Sequence, residues 1–469
     1  MDTLTLFSSL WAIAALFHVL GPSGAAIGIF GHPTALGLTH VILAMCAIWL
    51  LARPAHNLPL MLMAIIGLIA AWQEMPTLGN HWLLAAFVDL ALLLAALGTM
   101  REWSIDRERL ADAFLPVTRW CLVLFYLFAA FSKLNSAFFD TVVSCSTYYF
   151  DETARSLGFN TPLAVGAGGL ADLLPFLTAG TELSIPMLLL NRRTRVFGVV
   201  LGLSFHSLIA LDRLHLFVDF SSVLAALFVL FLPARFPTSA LGFLKGKGAQ
   251  LQIFWVVVAG LVLGAQWIGR GNVAYFMFTE GRLFVWYVFD ATVLLGVTMW
   301  LARYRGQTLE RPFILRGHGP ILLAVIPALV VLNGLLPYFE LRTAYAFNMY
   351  SNLEMVDGNS NHFIVRSSLP LWGRQADLIK VVVSNDPGLS LYATDNYLLP
   401  WDSFRAYLAK HLDDAIIYDR GGKRYLVERA ADYPELVTAP SLLAQKLLAL
   451  RAVDGRDKAR CQDVFLPAL

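Results

Sequence analysis

The chain has 469 residues, of which 58% are hydrophobic and only 14% are charged, and its formal net charge is +2 at pH 7. A soluble domain normally carries about a quarter charged residues, so this composition excludes an ordinary soluble protein. The small net charge gives no argument for nucleic-acid binding. Apolar runs of roughly 17–22 residues recur as far as about residue 340, and each is long enough to cross a ~30 Å hydrocarbon layer as a helix.

These runs predict ten or eleven transmembrane helices. In chain order the predicted spans are about 4–20, 34–52, 57–73, 81–100, 114–134, 163–190, 195–211, 217–233, 251–269, 283–303 and 321–339. The sixth span is expected to break near Pro175, because proline interrupts the hydrogen bonding of a helix.

The loops between the spans predict the orientation. Basic residues collect in alternate loops, namely Arg53; Arg101, Arg107 and Arg109; Arg192, Arg193 and Arg195; Arg235, Lys245 and Lys247; and Arg303, Arg305, Arg311 and Arg316. Basic loops stay in the cytoplasm, so we expect an integral membrane protein, surrounded by lipid, with a cytoplasmic N-terminus. Everything after about residue 340 is then extracytoplasmic.

The C-terminal residues have a different composition. An apolar run at Leu378–Val383 is typical of a strand, and residues 415–428 read as two strands around an Arg-Gly-Gly turn. We therefore predict an all-α polytopic membrane bundle over residues 1–340, followed by a small extracytoplasmic α+β domain over residues 341–469.

The four cysteines show no metal-ligand spacing, and the sequence predicts no metal. Cys145 and Cys461 both fall outside the membrane in this topology, where a disulfide can persist. A Cys145–Cys461 bridge is one hypothesis and two free thiols is the other.

Ionisable residues inside apolar spans are costly and are functional candidates by default. The candidates within or at the ends of spans are His18, His40, Glu74, His81, Asp89, Lys133, Glu182, His206, Asp212 and Asp290. Those predicted in the outer half of the membrane, such as His18, Glu74, His81, Lys133 and His206, are expected to line one outward-opening cavity. Each histidine can equally be a hydrogen-bonded packing residue.

Lys133 has aromatic and small neighbours along its helix, with no acid within one turn. Such surroundings disfavour the ammonium form, and a neutral amine can act as a base. The alternative is a lysine that extends to the outer interface. For Glu182 and Asp290 the sequence leaves open pairing with arginines, a proton path or, for Glu182, a structural hydrogen-bond acceptor.

Ordered motifs in the first half of the chain resemble those of the vitamin K-dependent γ-carboxylase family and of bacterial membrane proteins that share its HTTM domain. They are Asn80-His81-Trp82 with Trp103-Ser104-Ile105-Asp106; Phe125-Tyr126 with Ser132-Lys133-Leu134; and Glu182, Pro186, Arg192-Arg193-Thr194-Arg195 and Phe205-His206. Met349-Tyr350-Ser351-Asn352-Leu353 and Asn359-Ser360-Asn361-His362 resemble a motif of the bacterial branch, to which the sequence assigns no function.

The resemblance implies a protein of a bacterial inner membrane. It also implies a γ-glutamyl carboxylase-like lyase that couples quinol oxidation to carboxylation of glutamate in a secreted peptide or protein. Reduced vitamin K or a related quinol would be oxidised, with O2 and CO2 as co-substrates. Lys133 would be the base and His81 a supporting catalytic residue. His206, Glu74, Tyr126 and His18 would line the substrate or quinone pocket.

Two other functions compete with this one. A non-catalytic HTTM membrane protein would assist peptide maturation, export or immunity, and its C-terminal residues would dock another protein. A transporter would use Asp89, Glu182 and Asp290 as a proton path, but the sequence shows no inverted repeat.

Overall fold

The computed structural model describes residues 2–19, 34–160, 162–212, 217–233, 272–303 and 320–461, together with the single residues 236, 253 and 257. Its α-helices are α1 (Thr3–Val19), α2 (Ala35–Ala52), α3 (Asn57–Glu74), α4 (Asn80–Thr99), α5 (Arg107–Ser132), α6 (Cys145–Ser156), α7 (Leu174–Leu190), α8 (Arg195–Ile209), α9 (Val218–Phe228), α10 (Asn272–Arg303), α11 (Val325–Leu335), α12 (Pro387–Asp395), α13 (Trp401–Leu408), α14 (Pro434–Val437) and α15 (Leu442–Leu447). Short 3-10 turns are Gly169–Leu173, Val229–Phe231, Ile321–Ala324, Leu336–Phe339 and Ala430–Asp432.

Seven of the described helical segments are long and apolar enough to cross a membrane: Ala35–Ala52, Asn57–Glu74, Asn80–Thr99, Arg107–Ser132, Ala171–Leu190, Leu283–Arg303 and Ile321–Phe339. Three shorter apolar segments, Thr3–Val19, Arg195–Ile209 and Val218–Phe231, occupy three further predicted spans. The predicted span 251–269 lies outside the described residues, apart from residues 253 and 257. The chain is therefore mostly helical, in keeping with a membrane protein.

Two predicted spans have different bounds in the structure. Helix α5 begins at Arg107 rather than at residue 114, because Asp106 accepts hydrogen bonds from the first backbone amides, those of Glu108 and Arg109. Hydropathy detects only the apolar part of that helix. The span predicted from residue 163 starts late, because Gly166 and Gly168 adopt positive φ angles of 67° and 72° and delay the α-helix until Leu174.

The described chain divides into two compact units. The first comprises Met1–Glu74, His81–Leu124 and Ser184–Ala328, and the second comprises Met75–Asn80, Phe125–Leu183 and Leu329–Leu469. In the first unit α1 packs against α2 and α9, and α2 packs against α3. The second unit combines the C-terminal residues with residues 125–183, and a separate extracytoplasmic domain over 341–469 stays a prediction.

The second unit contains a five-stranded antiparallel sheet. Its strands are β5 (Leu378–Ser384), β6 (Tyr397–Pro400), β7 (Ile416–Arg420), β8 (Lys423–Val427) and β9 (Val453–Asp454), in the order β8-β7-β5-β6-β9. Two-residue hairpins form at β1 (Met100–Arg101) with β2 (Ser104–Ile105) and at β3 (Met355–Val356) with β4 (Asn359–Ser360).

One face of the five-stranded sheet holds a core with helices α12 and α13. Ile379 and Val381 of the central strand are buried there with Phe404. The predicted hairpin is present, with Ile417 opposite Leu426, and Gly421 and Gly422 turn at φ 55° and 76°. Two adjacent residues with positive φ suit a tight hairpin turn, which is why the Gly-Gly pair is diagnostic.

Candidate functional site

Lys133 lies in the turn that directly follows helix α5 and is only 2% exposed. Its Nζ is 2.8 Å from Glu182 Oε2, and the side chains of the two residues are 3% and 13% exposed. The same ammonium donates to the backbone carbonyls of Met349 at 3.2 Å and Ala129 at 3.4 Å. The Phe138 ring centre is 5.9 Å from Nζ. Three oxygen atoms and one aromatic ring therefore surround the side-chain nitrogen of Lys133.

Glu182 reaches this lysine from the middle of helix α7. The neighbours of Lys133 along its own helix are aromatic or small, but the fold adds an acid from a later helix. The alternative of a lysine extending to the outer interface does not describe this buried side chain. Glu182 pairs here with Lys133 rather than with an arginine.

The two segments Met349–Leu353 and Asn359–His362, which we call the C-terminal motif, fold around the turn that holds Lys133. Asn135 Nδ2 donates to the carbonyls of Ser132 at 2.9 Å and Ser351 at 2.5 Å. The Asn135 Oδ1 accepts from the backbone amide of Phe138 at 2.8 Å. One amide side chain thus ties together the end of α5, the loop that follows it and the segment that supplies Met349.

The second half of the C-terminal motif, with Phe363 after it, binds the end of α5 and the turn that follows. His362 Nε2 is 2.8 Å from the Phe131 carbonyl, and the amide of Phe363 donates to the Leu134 carbonyl at 2.8 Å. The amide of Ser136 donates to the Asn361 carbonyl at 3.0 Å. The motif to which the sequence assigned no function, Met349–Leu353 with Asn359–His362, therefore packs around the Lys133 turn. We call these surroundings of Lys133 the enclosure.

The backbone of this enclosure is conformationally unusual. Tyr345, Phe347, Tyr350 and Asn352 have φ angles of 55°, 60°, 52° and 54°. Residues with a Cβ atom rarely adopt this left-handed region, and such strained positions concentrate at functional sites. These residues flank Met349, so the segment whose carbonyl binds Lys133 holds its geometry at a cost in stability.

A second group of ionisable side chains lies in the first unit, where three helices converge. His18 is in the last turn of α1, His40 is in the second turn of α2 and Glu74 is the last residue of α3. His18 Nε2 is 2.8 Å from Glu74 Oε1, and His40 Nε2 is 2.7 Å from the same oxygen. The histidines are 6% and 0% exposed.

Asp219, in the first turn of α9, extends this group. Its Oδ2 is 3.5 Å from His18 Nδ1 and accepts a hydrogen bond from Trp82 Nε1 at 3.2 Å. Its Oδ1 is 3.1 Å from His81 Nε2. The Trp82 ring lies 3.8 Å from the His18 ring, centre to centre. We name the five residues His18, His40, Glu74, His81 and Asp219 the histidine cluster.

The structure separates the predicted site residues into two sets. His18, Glu74 and His81 meet in the histidine cluster, and His206 is buried nearby in the first unit, its ring 4.7 Å from Phe220, which also contacts His81. Lys133 and Tyr126 belong to the second unit, where Tyr126 is buried and interacts electrostatically with Glu182. The single shared cavity stays a prediction.

Sequence reasoning missed one member of the histidine cluster. Asp219 falls at the start of the predicted span 217–233 and was not among the candidates, although an acid within an apolar segment is the signal that would have found it. His40 was a candidate but had no assigned partner. Asp89, a candidate for a proton path, accepts a hydrogen bond from Trp11 Nε1 at 2.8 Å.

The structure joins Cys145 and Cys461 by a disulfide, with their Cα atoms 4.7 Å apart. This is the pairing that the sequence hypothesis named. The amide of Cys145 donates to Asn352 Oδ1 at 2.8 Å, and the amide of Cys461 donates to the Val143 carbonyl at 3.0 Å. The bridge therefore holds the C-terminal end beside the loop that leaves the Lys133 turn. Cys46 and Cys121 are buried free thiols.

A half-buried acid, Glu354, directly follows the Met349–Leu353 segment in the chain. Burial, together with the Asp454 carboxylate of β9, raises the pKa of Glu354 from 4.5 to about 7. Glu354 lines a small pocket with Gln375 and Arg451.

This raised pKa predicts a pH-dependent stability. Below pH 4.5 both folded and unfolded chains hold the proton, so the contribution of Glu354 is fully present there. As the pH rises to about 7 the unfolded chain ionises first, and we expect a loss on the order of 2 kcal/mol, after allowance for partial exposure. Thermal unfolding of Glu354→Gln should lack this decline between pH 4.5 and 7, whereas the exposed control Glu428→Gln should retain it. Identical profiles for all three proteins would contradict the prediction.

The described helices give the class of the protein as a multispanning helical membrane protein by length and composition. Comparisons of the chain with protein-family models, with curated proteins and with solved structures each find no match. The resemblance to the γ-carboxylase family therefore rests on the ordered motifs alone.

Proposed function

We propose that this protein is a membrane-embedded enzyme in which Lys133 transfers a proton, with a reaction resembling that of vitamin K-dependent γ-glutamyl carboxylase. By the resemblance, O2 would oxidise the deprotonated quinol to its epoxide and release a strong base, which would remove a proton from the γ-carbon of a glutamate in a secreted peptide or protein. CO2 would then add to the resulting carbanion. The observation that carries the proposal is the buried contact between Lys133 Nζ and Glu182 Oε2 at 2.8 Å. The family chemistry itself comes from the motif resemblance.

The geometry supports a proton-transfer role for the pair. A base must be neutral when it accepts a proton, and Lys133 faces an acceptor for its own proton in Glu182. Transfer of that proton to Glu182 would leave a neutral amine beside a neutral carboxyl group, and a site of low dielectric constant favours such neutral pairs over separated charges. The amine could then take the proton of a quinol hydroxyl group.

Substitutions that keep the shape but remove the proton exchange test this role. Purified protein should oxidise a reduced menaquinone or vitamin K analogue in the presence of O2. Lys133→Arg should lower that rate by at least about 100-fold, because a guanidinium keeps its proton, and Glu182→Gln should act in the same direction. Lys380→Ala, which removes an exposed lysine of the same unit, should have no effect.

Two outcomes would remove the proposal. One is a purified protein that neither binds nor oxidises a quinol, and the other is an unchanged rate in Lys133→Arg. The non-catalytic alternative, a membrane protein that assists peptide maturation, export or immunity, predicts that Lys133 and His81 tolerate substitution in cells. It also predicts that substitutions in the C-terminal residues abolish function.

A further inference from the structure

We propose that the first unit binds a divalent transition-metal ion, of the Zn²⁺ or Fe²⁺ class, through His18, His40 and Glu74. Their ligand atoms, two imidazole nitrogens and one carboxylate oxygen, all lie within 4.8 Å of one another. The site is independent of the Lys133 proposal, because all three residues belong to the first unit.

The ligand set has the chemistry of known metal centres. Two histidines and one carboxylate bind Zn²⁺ in catalytic sites and Fe²⁺ in non-haem sites, and both leave positions open for water or substrate. Ligand bonds of about 2.0–2.2 Å would separate the donor atoms by roughly 3.3 Å. The present separations of 2.7 and 2.8 Å would therefore have to widen by some tenths of an ångström on metal binding.

Asp219 provides an independent observation that points to a metal. The His18 ring presents Nε2 to Glu74 and its opposite nitrogen, Nδ1, to Asp219 Oδ2 at 3.5 Å. A metal-ligating histidine typically has a carboxylate behind it, which fixes the ring orientation and strengthens the ligand. Asp219 is itself held by Trp82 Nε1 at 3.2 Å and lies near His81. Contacts at both ring nitrogens, with Glu74 and with Asp219, thus hold the His18 ring in an orientation that suits metal binding through Nε2.

Charge balance supports the same conclusion. Glu74 and Asp219 place two carboxylates in one buried cluster, and buried charges are compensated by opposite charges or by metal ions. A divalent ion bound by Glu74 and the imidazoles would compensate both carboxylates.

Metal analysis of the purified full-length protein tests the proposal. We expect about one equivalent of bound metal per chain, and after removal by a chelator the protein should bind added Co²⁺ or Zn²⁺ with the same stoichiometry. Glu74→Gln and His40→Gln should each weaken Co²⁺ binding by more than 100-fold. Asp219→Asn should weaken it by about 10- to 100-fold, as loss of a supporting carboxylate usually does.

The matched control is His411→Ala. Asp386, His411 and Asp414 form the other group of the described residues with suitable spacing for a metal, and it lies in the second unit. The control should bind Co²⁺ as the unchanged protein does. Equal binding in Glu74→Gln, or its loss in His411→Ala, would overturn the assignment to the histidine cluster.

A spectroscopic measurement keeps the proposal testable if the variants fail to fold. The Co²⁺ spectrum of the unchanged protein should show nitrogen and oxygen ligands without a thiolate charge-transfer band. Such a band would point to a cysteine ligand and overturn the proposal, as would a protein that binds neither Co²⁺ nor Zn²⁺. In the latter case the cluster is a structural network of contacts between histidines and carboxylates.

Discussion

Glu182→Leu should lower the free energy of unfolding by about 3–5 kcal/mol, because it leaves the Lys133 ammonium buried without its carboxylate. The backbone carbonyls of Met349 and Ala129 would remain, but they carry no net charge to replace the lost one. Thermal unfolding in detergent, followed by loss of monodisperse protein, measures the effect.

A double variant separates the loss of a partner from a loss of packing. Lys133→Met together with Glu182→Leu removes both charges and keeps similar volumes, so stability should recover most of what Glu182→Leu loses. Arg424→Ala, which breaks an exposed ion pair with Asp419, is the control and should leave the unfolding midpoint nearly unchanged. If Glu182→Leu alone were as stable as the unchanged protein, the pair would not be buried as described.

Loss of the disulfide is the second large expected effect. Its cysteines are 316 positions apart, so the bridge closes a very long loop and restricts the unfolded chain. Cys145→Ala with Cys461→Ala should lower stability by about 2–4 kcal/mol, and reductant should have a similar effect on the unchanged protein.

Controls for the disulfide are the two free thiols. Cys46→Ala should retain the sensitivity to reductant, and so should Cys121→Ala, because neither sulfur takes part in the bridge. Alkylation gives a direct check, since reduction before alkylation should add the mass of two alkyl groups. Equal masses with and without reductant would contradict the bonded state.

Much of the helical fold was accessible from the sequence because hydropathy is a local property. Runs such as those at Ala35–Ala52 and Asn80–Thr99 reveal themselves without any knowledge of their neighbours. The hairpin of β7 and β8 was equally accessible, because its Gly-Gly turn and alternating flanks lie within a few residues. Helix ends were less accurate where capping by Asp106 or a glycine-rich segment set them.

The sites depend on contacts that no local pattern contains. Glu74 contacts His18 and His40, which lie 56 and 34 residues earlier in the chain. Separations of this size follow no helical or strand periodicity. The surroundings of Lys133 were judged from its own helix, whereas its acid comes from α7. Burial and pairing of an ionisable group are tertiary properties, so the sequence could nominate these residues but could not match them.

The C-terminal motif shows another limit of sequence reasoning. It contacts Lys133 through the main-chain carbonyl of Met349, and Asn135 through that of Ser351, groups that any residue type could supply. Side-chain chemistry therefore gave no hint of the role. The recognisable side chains of the motif bind other main-chain groups: Asn361 donates to the Asn352 carbonyl, and His362 contacts the Phe131 carbonyl near the end of α5.

The Met349 carbonyl that binds Lys133 comes 216 residues later in the chain, which bears on how the protein is made. When the ribosome has just released the first five helices, the lysine has neither this oxygen nor Glu182 beside it. At that stage the ammonium group must contact water or the protein-translocation machinery until the last part of the chain has been synthesised. A nascent chain arrested before residue 349 would consequently expose Lys133 to amine-reactive reagents that the finished protein excludes.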